Sequence, residues 1–409
     1  MAASSTTTTT ATTSTFPAII AYPPDIHPDG PIQPKWRFHP TLRLSRGPAP
    51  KELQIRMLAA GVCHTDALIS STPASYRGYP FIPGHEGAGY VEAVGEGVTV
   101  AQVGDPVLLS YDACDACECC VKGGTGAWCE RFGELNSAGV EGEFLLEGGN
   151  GGGGGGEARV EDGGGVLGKF FGQSSFAGRS LVKERCVVNV KGLVSGDEEL
   201  KLLAPLGCGL MTGAGNVVNI FDVGSEDIVL VTGLGGVGLG AVMAAKAREA
   251  KAIVVVDRVK SRLALARELG ATHVVDTTGM DLDQLAEEIK KAVGDLRIGY
   301  GLETTGVVKI VEQGIRAVGH RGHFVSVGVP PMDKTVTVGV ADMMLGGKTY
   351  SYNYFGDSEP RVMAPQMMTW WREGKFPLEK LVKFFPAKDV DEALNGMHDG
   401  TVIKPVLLW

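Results

Sequence analysis

A chain of 409 residues, 44% of them hydrophobic, is long enough to bury two cores of ordinary size. Its 38 basic and 47 acidic side chains leave a formal charge of −9 with no basic stripe, which argues against nucleic acid as a partner. No run approaches the ~18 apolar residues that a membrane span requires, so no membrane partner is expected either.

Residues 1–16 are mostly uncharged Ala, Ser and Thr, lacking both the apolar core of a secretory signal and the arginines of a transit peptide. They read as a disordered leader on a cytoplasmic protein, and the C-terminal Val406-Leu407-Leu408-Trp409 is no peroxisomal address. From about residue 32 to 190, short β-type runs such as 53–57 and 106–109 alternate with Gly and Pro, predicting an irregular β-rich domain. Residues 148–165 form a Gly-rich insertion too flexible to pack. From Asp227 onward, apolar strand-like runs at 228–231, 253–256, 273–275 and 324–327 alternate with helical patterns at 239–250, 261–269 and 282–293. Gly270 and Gly294 stand where helix stops belong, and the alternation predicts a parallel sheet covered by helices. After about Tyr354 the pattern turns mixed again, as if the chain returned to its first domain.

Gly233-Leu234-Gly235-Gly236-Val237-Gly238 follows an apolar strand and opens a helix, and Asp257 ends the next strand nineteen residues after Gly238. The glycines allow a tight turn and close approach of backbone to a pyrophosphate, while the acid accepts from ribose hydroxyls. Asp257 would repel a 2′-phosphate and so favours NAD over NADP, an effect that Arg258 and Arg262 partly offset.

The eight cysteines read as metal ligands in a reducing compartment rather than as a disulfide framework. Cys114, Cys117, Cys120 and Cys129 offer thiolates within sixteen residues, enough for a closed tetrahedral zinc site, with Cys119 as a surplus thiol beside them. A second set is spread along the chain: Cys63 and Asp66 in Gly61-Val62-Cys63-His64-Thr65-Asp66, His85 and Glu86 in Gly84-His85-Glu86-Gly87, and Cys208 between two glycines. Two thiolates and one imidazole leave a fourth zinc position open, as a catalytic site requires.

With these motifs in this order and at these distances, the chain resembles the zinc-containing medium-chain alcohol dehydrogenases. The stretches Phe171-Gly172-Gln173-Ser174-Ser175-Phe176-Ala177 and 204–215 resemble the aryl (benzyl) alcohol dehydrogenase branch. The resemblance implies an α/β protein, with a GroES-like β-rich catalytic domain over 17–209, a Rossmann doubly wound parallel-sheet domain over 210–353, and a return to the catalytic domain over 354–409. It implies two zinc ions per chain. Cys63, His85 and Cys208 would hold the catalytic zinc, with Asp66 and Glu86 near them, and Cys114, Cys117, Cys120 and Cys129 the structural one. Thr65 would take the alcohol proton, His64 and Lys404 would touch the cofactor pyrophosphate, and Val327 and Val329 would hold the nicotinamide ring. The substrate implied is a small primary alcohol or its aldehyde, aromatic or unsaturated, and the assembly implied is a homodimer or homotetramer joined through edge strands near 324–329. Tyr79, Phe81, Tyr111 and Phe132 suit an apolar pocket and ordinary core packing equally well.

Three positions depart from the family pattern. Leu68 replaces a histidine that some members use to pass the proton to solvent, the Cys120 to Cys129 arm is one residue longer, and Lys404 stands where arginine is common. Two other readings stay open: a same-fold zinc enzyme acting on sugar alcohols or a specialised metabolite, and a non-catalytic NAD- and zinc-binding protein.

Overall fold

A computed structural model describes residues 14–25, 33–72, 78–137, 139–146, 165–331 and 333–409. The first thirteen residues of the expected leader and all of the Gly-rich insertion except Gly165 lie outside the described residues. The chain divides into two compact units, one of Met1–Gly207 with Val382–Trp409, the other of Cys208–Leu381.

The first unit is β-rich. Its centre is the strand Glu52–Gly61, buried along almost its whole length because it has neighbours on both sides and on both faces. Gly87–Val94 and Arg179–Lys183 pair with it antiparallel, and Lys404–Leu408 covers its C-terminal part. The sheet continues through Pro106–Leu109 to Val187–Asn189 on one side and to Val382–Pro386 on the other. Leu53, Ile55, Met57, Val91, Val107 and Leu109 fill the core beneath it. A smaller antiparallel sheet joins Phe16–Tyr22, Lys35–Leu44, Val140–Leu146 and Val166–Gly168.

The second unit is the predicted parallel sheet. Six strands run in the order His273–Asp276, Ala252–Asp257, Ile228–Thr232, Tyr300–Glu303, His323–Ser326, Thr349–Tyr352, every pair parallel. The first strand in sequence therefore sits third, and the strand order reverses beside it, the doubly wound arrangement in which ligands meet the carboxyl ends of the strands. Leu230, Val254, Val256 and Phe324 pack against Leu285, Ile289, Val293 and Ile315 of the covering helices. The helix Leu285–Val293 buries Leu285, Ala286, Ile289 and Val293, the stripe a helical period of 3.6 demands. It ends at Gly294, φ 60°, as Lys260–Leu269 ends at Gly270, φ 124°.

Two expectations shift. The chain rejoins the first unit at Val382, not near 354, because the helix Pro360–Arg372 packs its Met363, Ala364, Met367 and Trp370 face inside the second unit. The strand His323–Ser326 is paired on both sides, so the outer strand is Thr349–Tyr352 and not the segment 324–329. Among the described residues, no helix is long and apolar enough to cross a membrane.

Candidate active site

Cys63 is the N-cap of the helix His64–Ser70, and its backbone N–H donates to Asp66 Oδ2 at 2.9 Å. The other oxygen of Asp66 takes the Gly84 N–H at 3.0 Å and stands 2.8 Å from Nδ1 of His85. One fully buried carboxylate thus fixes both loops that carry candidate ligands. It also fixes the histidine tautomer, with the proton on Nδ1 and the lone pair of Nε2 turned the other way. Gln173 extends the scaffold: its Oε1 accepts from Gly87 N, and its Nε2 donates to the carbonyls of His85 and Ser110. The Ser110 hydroxyl in turn donates to Gly207 O at 2.7 Å, directly before Cys208.

These supports bring Cys63, His85, Glu86 and Cys208 together, with their ligand atoms all within 4.8 Å of one another. Nε2 of His85 is buried and has no hydrogen-bond partner. A buried imidazole nitrogen within 4.8 Å of two cysteine sulfurs is a soft N/S donor set of the kind zinc takes, so these residues fit zinc. Burial disfavours the imidazolium, yet the Asp66 carboxylate outweighs it and raises the His85 pKa, so a cation at Nε2 would have to displace a proton there, leaving the Nδ1–H to Asp66. Burial also pushes the Glu86 carboxyl upward against the pull of Lys404.

Lys404, which the resemblance places at the cofactor pyrophosphate, is buried in the first unit, its ammonium 2.7 Å from Glu86 Oε1 and 3.1 Å from Val62 O. His64 is exposed and its ring stacks on His398 at 6.3 Å. Thr65 is half-buried one turn position from Asp66, and Leu68 is 49% exposed.

Aromatic rings surround His85. Phe171 stacks on the imidazole at 4.6 Å and Phe170 meets it edge-on at 5.7 Å. Phe81 adjoins Phe170, Tyr79 adjoins Phe81, and Phe132 links Phe171 to Tyr111, so the four aromatic residues singled out from sequence form one array. Phe170 and Phe171 were not singled out, although Phe171 opens the motif quoted above. Phe171 adopts the left-handed region, φ 50°, which a bulky residue occupies only when its surroundings over-determine it.

The preceding Lys169 anchors that loop. Buried, with φ 65°, it donates to Leu181 O at 2.6 Å and pairs with Glu52 and Glu143 at 3.1 and 3.3 Å. Burial alone would raise the Glu52 carboxyl, but hydrogen bonds from Arg46 and Ala49 N, with the charge of Lys169, bring it down to about 2. A depressed folded-state pKa stabilises above the unfolded value near 4.5, and that contribution disappears as pH falls through about 2. Glu52→Gln is therefore expected to lower stability at pH 7, with the gap to the parent narrowing below about pH 4.5 and closing only near pH 2, as followed by chemical denaturation. A gap that stays constant with pH would show that the carboxylate charge is not what stabilises.

The second cluster lies around the short helix Glu118–Gly123, and the structure places Cys114, Cys117, Cys120 and Cys129 with their sulfurs within 4.8 Å. Cys117 Sγ is 3.4 Å and Cys114 Sγ 3.9 Å from Cys120 Sγ. Zinc–sulfur bonds of about 2.3 Å in a tetrahedron need edges of about 3.8 Å. Backbone N–H groups of Glu130 and Cys120 bring the Cys117 thiol down to about 6, toward the thiolate a metal binds. The longer arm to Cys129 does not keep that residue out, and the exposed Cys119 is outside the group.

In the second unit, Gly233, Gly235, Gly236, Val237 and Gly238 join the strand Ile228–Thr232 to the helix Gly236–Ala247. Gly233 has φ 87°, and a side chain on Gly238 would collide with Gly233 O. Asp257 closes the same turn: Oδ2 accepts from Leu234 N at 2.6 Å and Oδ1 from Val259 N at 2.8 Å. Arg262, in the following helix, has a buried Nε without a hydrogen-bond partner. Val327 and Val329 lie just beyond the strand His323–Ser326, Val329 being 59% exposed.

A β-rich unit bearing Cys63 and His85, a donor set of these two with Cys208 that fits zinc, and a doubly wound sheet with a dinucleotide turn define a zinc-binding dehydrogenase. Residues 49–191 match the alcohol dehydrogenase GroES-like domain and residues 236–371 the zinc-binding dehydrogenase family. The chain is 35% identical over 365 residues to geraniol dehydrogenase of Castellaniella defragrans, covering 88% of this chain and 92% of that one. The solved benzyl alcohol dehydrogenase of Acinetobacter calcoaceticus superposes with a TM-score of 0.81 at 33% identity, over 97% of this chain and 99% of that one. A zinc-binding-domain alcohol dehydrogenase protein from Burkholderia ambifaria gives 0.80 at 34%, over 96% and 99%. The chain belongs to the zinc-containing medium-chain alcohol dehydrogenase family and is an oxidoreductase acting on alcohols.

Proposed function

We propose that the protein interconverts a primary aromatic or unsaturated alcohol and its aldehyde by hydride transfer to or from NAD, with two zinc ions per chain. The carrying observation is the orphaned Nε2 of His85 between the thiols of Cys63 and Cys208, backed by Asp66 on Nδ1. These three residues hold the catalytic zinc, which when bound supplies a Lewis acid that acidifies the alcohol. Asp66 keeps the imidazole in the ligating tautomer. Thr65 accepts the alcohol proton at its hydroxyl, and with Leu68 at the next turn the proton goes on to solvent without a histidine there. The rings of Phe170 and Phe171 exclude water around His85 and offer apolar faces to a flat substrate. The substrates named in geraniol dehydrogenase and benzyl alcohol dehydrogenase, an unsaturated and an aromatic alcohol, agree with that class.

Asp257 accepts from the adenosine ribose and disfavours a 2′-phosphate, which makes NAD the cofactor, with Arg262 on the adenosine side and Val327 and Val329 on the nicotinamide. His64 contacts the pyrophosphate. Cys114, Cys117, Cys120 and Cys129 hold the structural zinc. The outer strand Thr349–Tyr352 and the exposed Val340, Met344 and Leu345 beside it in sequence form the face through which copies associate in a homodimer or homotetramer.

The test is NAD-linked turnover on a panel of benzyl, cinnamyl, aliphatic and sugar alcohols, run in parallel with Thr65→Val. The parent should prefer benzyl and cinnamyl alcohols, and Thr65→Val should lose about 10²–10⁴ in kcat with zinc content unchanged. Best turnover on sugar alcohols would overturn the substrate class, and unaltered kcat in Thr65→Val would remove Thr65 from the proton path.

A further inference from the structure

The strand Tyr300–Glu303 lies at the centre of the parallel sheet, and its last residue is an acid. Glu303 is fully buried and stands in register with Thr232 on one side and Ser326 on the other. A buried carboxyl in a central strand carries a desolvation cost that a valine, such as Val256 on the same sheet, does not. What it holds accounts for its presence. Oε1 accepts from the Thr305 and Gly306 backbone N–H groups and from the Thr305 hydroxyl, the last two at 2.8 and 2.6 Å. Its backbone carbonyl accepts from Val327 N at 2.9 Å and Gly328 N at 3.2 Å. Oε2, buried, faces Gly328, where an added Cβ would come within 2.9 Å of it.

The same short segment reaches the glycine turn. Thr304 Oγ1 donates toward the carbonyls of Thr232 and Gly233, each at 3.0 Å. On the far side, Gly306 takes φ 70°, and a side chain there would press on Val329 O. Residues 303–306 thus join the first glycine of the dinucleotide turn to the segment 327–329, at the carboxyl ends of the strands where the order reverses.

We propose that Glu303 is a positioning residue for the nicotinamide end of the cofactor, holding the turn 304–306 and the segment 327–329 as one rigid cradle. The proposal rests on the NAD-binding reading above. Glu303 itself touches no cofactor atom; it presets backbone that would otherwise have to be ordered on binding.

The experiment uses the zinc-loaded full chain and two probes, NADH followed by its fluorescence and ADP-ribose followed by calorimetry. ADP-ribose has the adenosine and pyrophosphate but no nicotinamide ring. Glu303→Ala and Thr305→Val should each weaken NADH by about tenfold while ADP-ribose stays within about twofold. Glu303→Gln, whose carbonyl accepts from the same donors, should stay within about threefold for both probes. Equal weakening of both probes would make Glu303 a general stabiliser of the unit, and unchanged NADH affinity would leave it no positioning role; either overturns the proposal. If Glu303→Ala does not fold, Thr305→Val decides by the same two readings. A parent chain that binds neither probe would instead overturn the NAD reading.

Discussion

Cys63→Ser is expected to bind one zinc per chain and to turn over alcohol roughly a thousandfold more slowly or worse, since the Lewis acid supplies several kcal/mol of transition-state stabilisation. Cys63 is the most exposed to change of the three candidate ligands, for it caps a helix of only seven residues and depends on Asp66 for its backbone position. A serine fills nearly the same space and keeps that backbone bond, so the fold should survive. What it cannot supply is a thiolate, and one hydroxyl in place of it leaves His85 and Cys208 to hold the ion alone. The remaining zinc should stay with Cys114, Cys117, Cys120 and Cys129. Metal analysis beside turnover separates the two sites: two zincs at full activity would remove Cys63 from the catalytic set, and no zinc at all would mean that the clusters do not bind independently.

The sites were readable from sequence where chemistry and local backbone coincide. Cysteines spaced every third residue, and a glycine turn between an apolar run and a helix, leave little alternative in a reducing compartment. His85 was readable as a ligand and Asp66 as a neighbour of ligands, but not that one carboxylate ties Cys63, Gly84 and His85 together. The strand Tyr300–Glu303 escaped because four residues containing a glycine and an acid show no apolar run, although its neighbours bury all of it but Tyr300. The edge position of Thr349–Tyr352 escaped for the same reason: Thr-Tyr-Ser-Tyr has the β propensity of an exposed strand without an apolar signature. The return to the first unit was placed too early because the helix Pro360–Arg372, rich in Met and Trp, signals burial without saying in which core.

The pairing of Lys404 with Glu86 lies beyond any local pattern, the two being 318 residues apart, and it carries the other large expected effect. Removing one member of a buried ion pair costs roughly 3–5 kcal/mol, because the remaining charge is left in a medium that does not solvate it. Both side chains are buried, and Glu86 belongs to the group formed by Cys63, His85 and Cys208. Lys404→Met should therefore lower the thermal midpoint of the first unit by several degrees or more. It should also raise the alcohol KM, because an unrestrained Glu86 carboxylate competes for the position a substrate oxygen needs. The double variant Glu86→Gln with Lys404→Met, which removes both charges, should recover most of the lost stability, and the coupling from the four-membered cycle measures the pair. Lys404→Arg should keep the charge but force a wider fork into a site built for an ammonium, and so fall between parent and Met. Were Lys404→Met as stable as the parent while NADH affinity fell, the lysine would be acting at the pyrophosphate, as its sequence position suggested, and the buried pair would be incidental.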